Sequence, residues 1–210
     1  MKFGDQLYII MAGLTLFAYL LGSIAWGLVW TRLFTSTDLK KEGSGNIGAT
    51  NVSRVAGPGL GLLTLAGDFL KGAVPVYLAV SLAGHYQSAT DVLPAIVGLA
   101  AFGGHLYPVY SGFKSGGKGV ATAAGCFVVL APLACLSALA VFMVLVFASR
   151  RVSAGSLAAA LVLPIAAWIF THSWELTACA AVMTVFIFIR HADNIKRLLS
   201  GTEPAFTDRL

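Results

Sequence analysis

Long apolar runs separated by short polar stretches organise this chain. Runs at 6–31, 59–83, 92–110, 154–171 and 174–190 each approach or exceed the roughly 20 mostly apolar residues that a membrane-crossing helix requires. A further run, 119–148, is harder to place. As one helix of about 30 residues it would measure about 45 Å at ~1.5 Å per residue. That exceeds a hydrocarbon core of roughly 30 Å, and Pro132 near its middle would break or kink it. The first run is apolar from Leu7 to Trp30, too long for a signal-peptide core and without a convincing cleavage site, so it predicts a retained helix.

Charge resolves the ambiguous run. Of the 14 Lys and Arg, 12 fall in four stretches, 32–54, 114–118, 150–151 and 190–209. One crossing at 119–148 would put Arg150, Arg151 and the C-terminal tail opposite the first two basic stretches. Two crossings put all four on one face and leave Lys2 alone on the other. The connections near His85 and His172 and the bend at Pro132 contain no Lys or Arg. The positive-inside rule therefore favours two short passes of roughly 13 and 17 residues, and a re-entrant hairpin would give the same parity. The prediction is an all-α polytopic membrane protein with seven transmembrane helices, N-terminus outside and C-terminus cytoplasmic. Residues 1–210 are expected to form a single membrane-embedded domain.

Composition agrees. The chain is 58% hydrophobic and 11% charged, the latter under half of the roughly 25% usual in soluble domains. Its mean hydropathy is +0.83. A net charge of +5 would suggest nucleic acid in a soluble protein, but here it sits at helix ends and is a topology signal, so no nucleic acid partner is expected. Cys126, Cys135 and Cys179 lie within apolar runs, which argues against a disulfide framework and a metal cluster. No metal and no cofactor is expected.

Three polar stretches carry chemistry. In Lys40 to Arg54, Gly43, Gly45 and Gly48 allow positive φ and close approach of backbone to a ligand. Ser44, Asn46, Thr50 and Asn51 offer neutral donors, and Arg54 can grip an oxyanion bidentately. The interspersed Ile47, Val52 and Val55 argue against a flexible linker, and from Asn46 onward a short interfacial helix could aim its N-terminus at the ligand. The second stretch, His105 to Thr122, contains Gly112 to Lys118 in a G-x-x-x-x-G-K pattern. Gly119 stands where a nucleotide-binding P-loop needs Ser or Thr, and no strand precedes it, so the pattern is not read as a P-loop. Gly116, Gly117 and Gly119 bracketing Lys118 still make a phosphate cradle opening a helix. In the third stretch, Arg190 to Arg197, His191 and Asn194 share one helical face. Both could donate to a phosphate oxygen, and His191 could move a proton. Ser153 and Ser156 open the helix predicted from 154 on the same side, and either could be an N-cap. Asp68 and Lys71, three apart inside an apolar helix, are expected to pair structurally.

The segments GSGNIGATNVSR (43–54), HLYPVYSGFKSGGKGVAT (105–122) and RHADNIKRLLSGTE (190–203) resemble the three signature motifs of the bacterial PlsY family, integral-membrane acyl-phosphate:glycerol-3-phosphate acyltransferases. The resemblance runs from Leu20 to Glu203. It implies a seven-helix bundle with a cytoplasmic active site in the inner membrane. Ser44 and Arg54 match substrate-binding positions, Lys118 the lysine of the second motif, His191 and Asn194 the third, and Ser156 a serine opening the sixth helix. The family usually reads F-K-G-G-K-G. Here Ser115 is inserted, which leaves Lys118 in place but shifts Lys114.

The implied reaction is acyl transfer from acyl phosphate to the 1-hydroxyl of glycerol 3-phosphate, with the bilayer as setting and a functional link to the enzyme that makes acyl phosphate. Lys118, Arg54 and the glycine-rich backbones would bind phosphate and stabilise the leaving group. His191, Asn194, Ser44 and Ser156 would orient the groups. None of the acids Asp38, Glu42, Asp193, Glu203 and Asp208 lies in a motif core, so substrate phosphate is the expected proton acceptor. The residues five places after the four histidines are Thr90, Tyr110, Thr177 and Lys196, so the H-x-x-x-x-D signature of thioester-using acyltransferases is absent. The rival readings are an organophosphate or anion transporter, which places its polar site near the midplane, and a non-catalytic phospholipid-handling scaffold.

Overall fold

The structure, a computed structural model, describes residues 3–85, 91–114 and 116–206. Lys2, Ser115, Thr90, Asp208, Arg209 and the connection after His85 lie outside the described residues. All regular structure among the described residues is helical: α1 (Phe3–Gly22), α2 (Trp26–Phe34), α3 (Ala49–Ala56), α4 (Pro58–His85), α5 (Val92–Leu106), α6 (Val120–Leu130), α7 (Pro132–Ser149), α8 (Val152–Thr171), α9 (Trp174–Arg190) and α10 (Ala192–Leu199), with a 3₁₀ turn at Val109–Ser111.

Among the described residues four helical stretches are long and apolar enough to cross a membrane: Pro58–Gly84, Val92–Ser111, Pro132–Ser149 and Val152–Thr171. Two bent pairs reach that length only together, Ile9–Gly22 with Trp26–Phe34 and Trp174–Arg190 with Ala192–Leu199, which raises the number to six. In the second pair the bend is 63°, and α10 carries Asp193, Lys196 and Arg197. The turn at His191 therefore ends the apolar span. The split of run 119–148 falls at Ala131, and Pro132 takes the first position of α7, where its missing N–H has no helical partner to lose. α6 has 11 residues, about 16 Å at ~1.5 Å per residue, well short of a hydrocarbon core of roughly 30 Å.

The first apolar run departs from expectation. It is two helices, broken at Ser23–Ala25 and bent by 44°. At the break the Ile24 carbonyl accepts the Trp26 N–H at 3.2 Å and a 2.9 Å hydrogen bond from Lys71 Nζ. Lys71 also pairs with Asp68 at 2.9 Å, both side chains being nearly inaccessible, so the expected structural pair is present. Thr122 Oγ1 donates to the Asp68 carbonyl and fastens α6 to α4. A polar group sequestered from water needs such partners, and their absence would cost several kcal/mol.

Helices pack by removing side chains from their crossings. At the α4–α6 contact, a Cβ at Gly72 would strike the Thr122 carbonyl and one at Gly125 the Phe69 carbonyl, so only glycine permits this approach. The core between α1, α4, α5, α6, α8 and α9 centres on Val97, Phe102, Phe127, Met183 and Ile187. Leu62, Phe147, Val144 and Ile165 point outward, as a lipid-facing surface requires. The three cysteines are unpaired, Cys126 and Cys179 buried and Cys135 half-buried.

Candidate active site

The first polar stretch folds around a small core of its own. Leu39, Ile47 and Val52 are buried together, with Val55 packed on them, which orders a segment that polar composition alone would leave loose. Gly43 and Gly45 adopt φ of +60° and +67°, and Gly48 is extended instead. Asn51, one of the expected ligand donors, has a different task. Its Oδ1 accepts from the Ser44 N–H at 2.8 Å, and its Nδ2 donates to the Glu42 and Asn46 carbonyls. With both ends engaged it is the staple of the loop. Asn46 Oδ1 takes the Gly48 N–H, Thr50 lies in the first turn of α3, and Ser44 lines a cleft.

The second stretch is clamped from both sides. Gly117 N–H donates to the His105 carbonyl, and the Arg190 guanidinium from α9 donates to the Gly117 carbonyl at 3.0 Å and to the Gly116 carbonyl. A Cβ at Gly116 would enter the Leu106 carbonyl, and one at Gly117 the His105 ring. Gly119 turns the chain into α6 at φ +87°. The glycines thus bring Lys118 against α9 and α10, and Arg190 holds them there. Lys114, by contrast, is exposed.

At the third stretch, Asn194 and His191 are both buried. Lys118 Nζ donates to Asn194 Oδ1 at 2.6 Å, and Asn194 Nδ2 donates to Glu203 Oε1 at 2.6 Å. Arg197 Nε donates to the other Glu203 oxygen at 2.7 Å. His191 Nδ1 lies 2.8 Å from the Ile187 carbonyl. A carbonyl only accepts, so Nδ1 carries the proton and Nε2 is left as an acceptor. In the neutral ring Nε2 has no N–H to offer, so the expected donation from His191 to phosphate requires the protonated imidazole.

These elements enclose a cleft of about 320 Å³ whose walls include Ser44, Asn46, Lys118 and Asn194 among the predicted residues, together with Tyr107, Arg190 and Arg197. Among the described residues the walls do not include Gly45, Thr50, Arg54, Gly116, Gly117, Gly119, Ser156 or His191. Ser156 is buried and bonds the Val152 carbonyl of its own helix at 2.9 Å, so neither it nor Ser153 caps α8, whose N-cap is Arg151. Arg54 reaches the Pro204 and Ala205 carbonyls at 3.4 and 3.2 Å. Sequence reasoning assigned no role to Arg190, Arg197, Tyr107 or Glu203. All four lie within or next to the recognised segments, but only the chain's return shows where they point.

The cleft is cationic. Burial, with Arg197, Arg54 and Arg190 nearby, lowers the Lys118 amine to about 8 against the opposing pull of Glu203. At neutral pH it remains mostly charged. Burial and the Lys118 charge push the His191 imidazole down to about 4, opposed by the Ile187 carbonyl and Glu203. Burial would raise the Glu203 carboxyl, but nearby Ser153, which makes no hydrogen bond of standard geometry, and the bonded Asn194 and Arg197 hold it below its ordinary value. A site with a fixed ammonium, neighbouring guanidiniums and a neutral imidazole suits a multiply charged oxyanion.

Residues 12–201 match the family model described as glycerol-3-phosphate acyltransferase. A glycerol-3-phosphate acyltransferase of Syntrophotalea carbinolica is 51% identical over 189 residues, covering 90% of this chain and 94% of that one. The crystal structure of PlsY, an integral membrane glycerol 3-phosphate acyltransferase, in its glycerol 3-phosphate form superposes with a TM-score of 0.87 at 39% identity, covering 93% of this chain and 94% of that one. The lysophosphatidic acid form of the same enzyme gives 0.84 at 38% identity over the same shares.

Proposed function

The chain belongs to the glycerol-3-phosphate acyltransferase family, and we propose that it transfers a fatty acyl group from acyl phosphate to the 1-hydroxyl of glycerol 3-phosphate. The acyl carbon–oxygen bond to phosphate breaks, the ester bond to glycerol forms, and lysophosphatidic acid and inorganic phosphate leave. The observation that carries this reading is the cleft that joins Ser44, Lys118 and Asn194 from three distant segments beside three arginines. Those four cations less Glu203 leave about three positive charges, more than one phosphate dianion neutralises, which favours a reaction that brings a phosphate ester and an acyl phosphate together.

Lys118 neutralises the phosphate that departs, where negative charge grows in the transition state. Asn194 fixes the ammonium's direction, and Ser44 and Asn46 supply neutral donors from the opposite wall. Arg54, Gly45, Thr50, the Gly116, Gly117 and Gly119 backbone and, on α8, Ser156 support the phosphate sites from outside the cleft walls. The hydroxyl proton goes to phosphate. A phosphate monoester with a second pKa near 6 is a better proton acceptor than an imidazole lowered to about 4. His191, buried just behind the cleft wall at the α9–α10 turn, is left to orient the groups around it.

Residues 1–210 act as one membrane-embedded domain of the inner membrane with the site on the cytoplasmic side. Seven crossings, counting α6 as a short one, place the N-terminus outside and gather 12 of the 14 basic residues on the inner face. Acyl phosphate is a reactive mixed anhydride, which favours a functional link to the enzyme that makes it. Purified protein in detergent, given acyl phosphate and radiolabelled glycerol 3-phosphate, forms labelled lysophosphatidic acid. Acyl-CoA or acyl carrier protein in place of acyl phosphate gives none. Product only with a thioester donor would overturn the donor assignment, and no product with any donor the reaction itself. Labelling of a cysteine placed at position 151 from outside alone would overturn the orientation.

A further inference from the structure

The acid that sequence reasoning set aside is built into the site. Glu203 is 7% exposed, on a tail held by the α7–α8 connection and by α3. Arg151 Nε donates to the Glu203 carbonyl at 3.1 Å, Arg54 to the Pro204 and Ala205 carbonyls, and the Phe206 N–H to the Arg150 carbonyl at 2.8 Å. The tail is thereby fixed with the Glu203 side chain pointing back at α10.

This placement resolves the orientation of Asn194. An amide can turn either its oxygen or its NH₂ toward a neighbour. An ionised carboxylate accepts only, so Glu203 demands the NH₂ and leaves the oxygen for Lys118. Were the amide reversed, two donors would confront Lys118, already surrounded by Arg197 on α10, Arg190 on α9 and Arg54 on α3, with neutral His191 at the turn behind. Asp193 on α10 also lines the cleft, but its side chain is largely exposed and lies 3.9 Å from Lys196, and Glu203 is the carboxylate that acts on the Lys118 charge.

We propose that Glu203 is a positioning residue for the acyl transfer: through Asn194 it aims the Lys118 ammonium at the cleft, and its negative charge keeps that ammonium protonated among three arginines. Arg197 shares the task by holding the second carboxylate oxygen. The inference rests on the acyltransferase reading for its catalytic part only, because the charge state of Lys118 is measurable without turnover.

The test uses the full chain in detergent micelles with its lysines ¹³C-dimethylated, the Lys118 resonance being identified by its loss in Lys118→Arg. In Glu203→Gln the Lys118 midpoint falls by about one pH unit, and the alkaline limb of kcat for lysophosphatidic acid formation moves down with it. A purely structural role would lower activity without moving either. Glu203→Asp keeps the charge but withdraws it by one methylene, so it moves both in the same direction by less, and it serves where the glutamine variant does not fold. An unchanged Lys118 midpoint in a folded variant overturns the proposal, as does a limb that stays in place while the midpoint moves. Wild-type protein that forms no product overturns the acyltransferase reading, and the resonance still decides the charge relationship.

Discussion

The Lys118 ammonium donates a 2.6 Å hydrogen bond to the side-chain oxygen of Asn194, 76 positions further along the chain. It is the contact at which the glycine-rich turn before α6 meets the start of α10, and most of the site's chemistry depends on it. A charge-assisted bond of this length is among the stronger polar contacts in proteins. It holds the amine toward the cleft while leaving two of its protons for a ligand.

Lys118 and Lys114 should therefore separate cleanly. Lys118→Ala is expected to lower kcat/KM by at least ~100-fold, in the range for loss of one group that stabilises transition-state charge. Lys114 is exposed on the neighbouring turn, and Lys114→Ala should stay within about threefold of wild type. Steady-state kinetics with acyl phosphate and glycerol 3-phosphate decide it, and equal small effects would remove the phosphate role from Lys118.

Arg190 faces the cleft but holds the Gly116 and Gly117 carbonyls. Arg190→Gln loses both bonds and loosens the turn that presents Lys118. We expect kcat to fall by about 10- to 100-fold, as small misplacements of catalytic groups do. Purification yield and helical circular dichroism should match wild type, and full activity would show that the turn holds its shape without the guanidinium.

The buried pair in α4 should respond asymmetrically. Lys71→Met leaves Asp68 with only the His105 ring at 3.6 Å and removes one of the two donors to the Ile24 carbonyl, for a loss of about 3–5 kcal/mol. Asp68→Leu combined with Lys71→Met removes both charges and should be milder. Thermal unfolding in detergent compares them, and a double variant no better than the single would mean that the pair is not the unit of stability.

His191 makes stability sensitive to acid. Its folded pKa, about 4, lies below the ordinary 6.5. Between these values the unfolded chain binds the proton and the folded one does not, so stability is retained above pH 6.5 and lost as pH falls toward 4. Glu203, also lowered, adds its own loss further down, below its ordinary value of 4.5. In His191→Asn the decline of melting temperature between pH 6.5 and 4 should flatten. An identical slope would mean that the imidazole is not held neutral.

Run length and charge sign determined the helical membrane architecture from the chain alone, because crossing a bilayer is a local demand on about 20 residues at a time. The same holds for the break at Pro132, for the three glycine-rich or polar stretches, and for the Asp68–Lys71 pair, whose members lie one turn apart. The break at Ser23–Ala25 was not legible: no proline marks it, and its stabilising partner, Lys71, comes from another helix. Asn51 and Ser44 read alike as polar loop residues, yet packing turns one into the staple of the loop and the other toward the cleft. Only the tertiary structure decided that Glu203 faces Asn194, that Arg190 holds the glycine turn and that His191 keeps its proton on Nδ1. Each depends on which atom of a distant segment lies within 3 Å, a quantity that hydrophobic pattern does not encode.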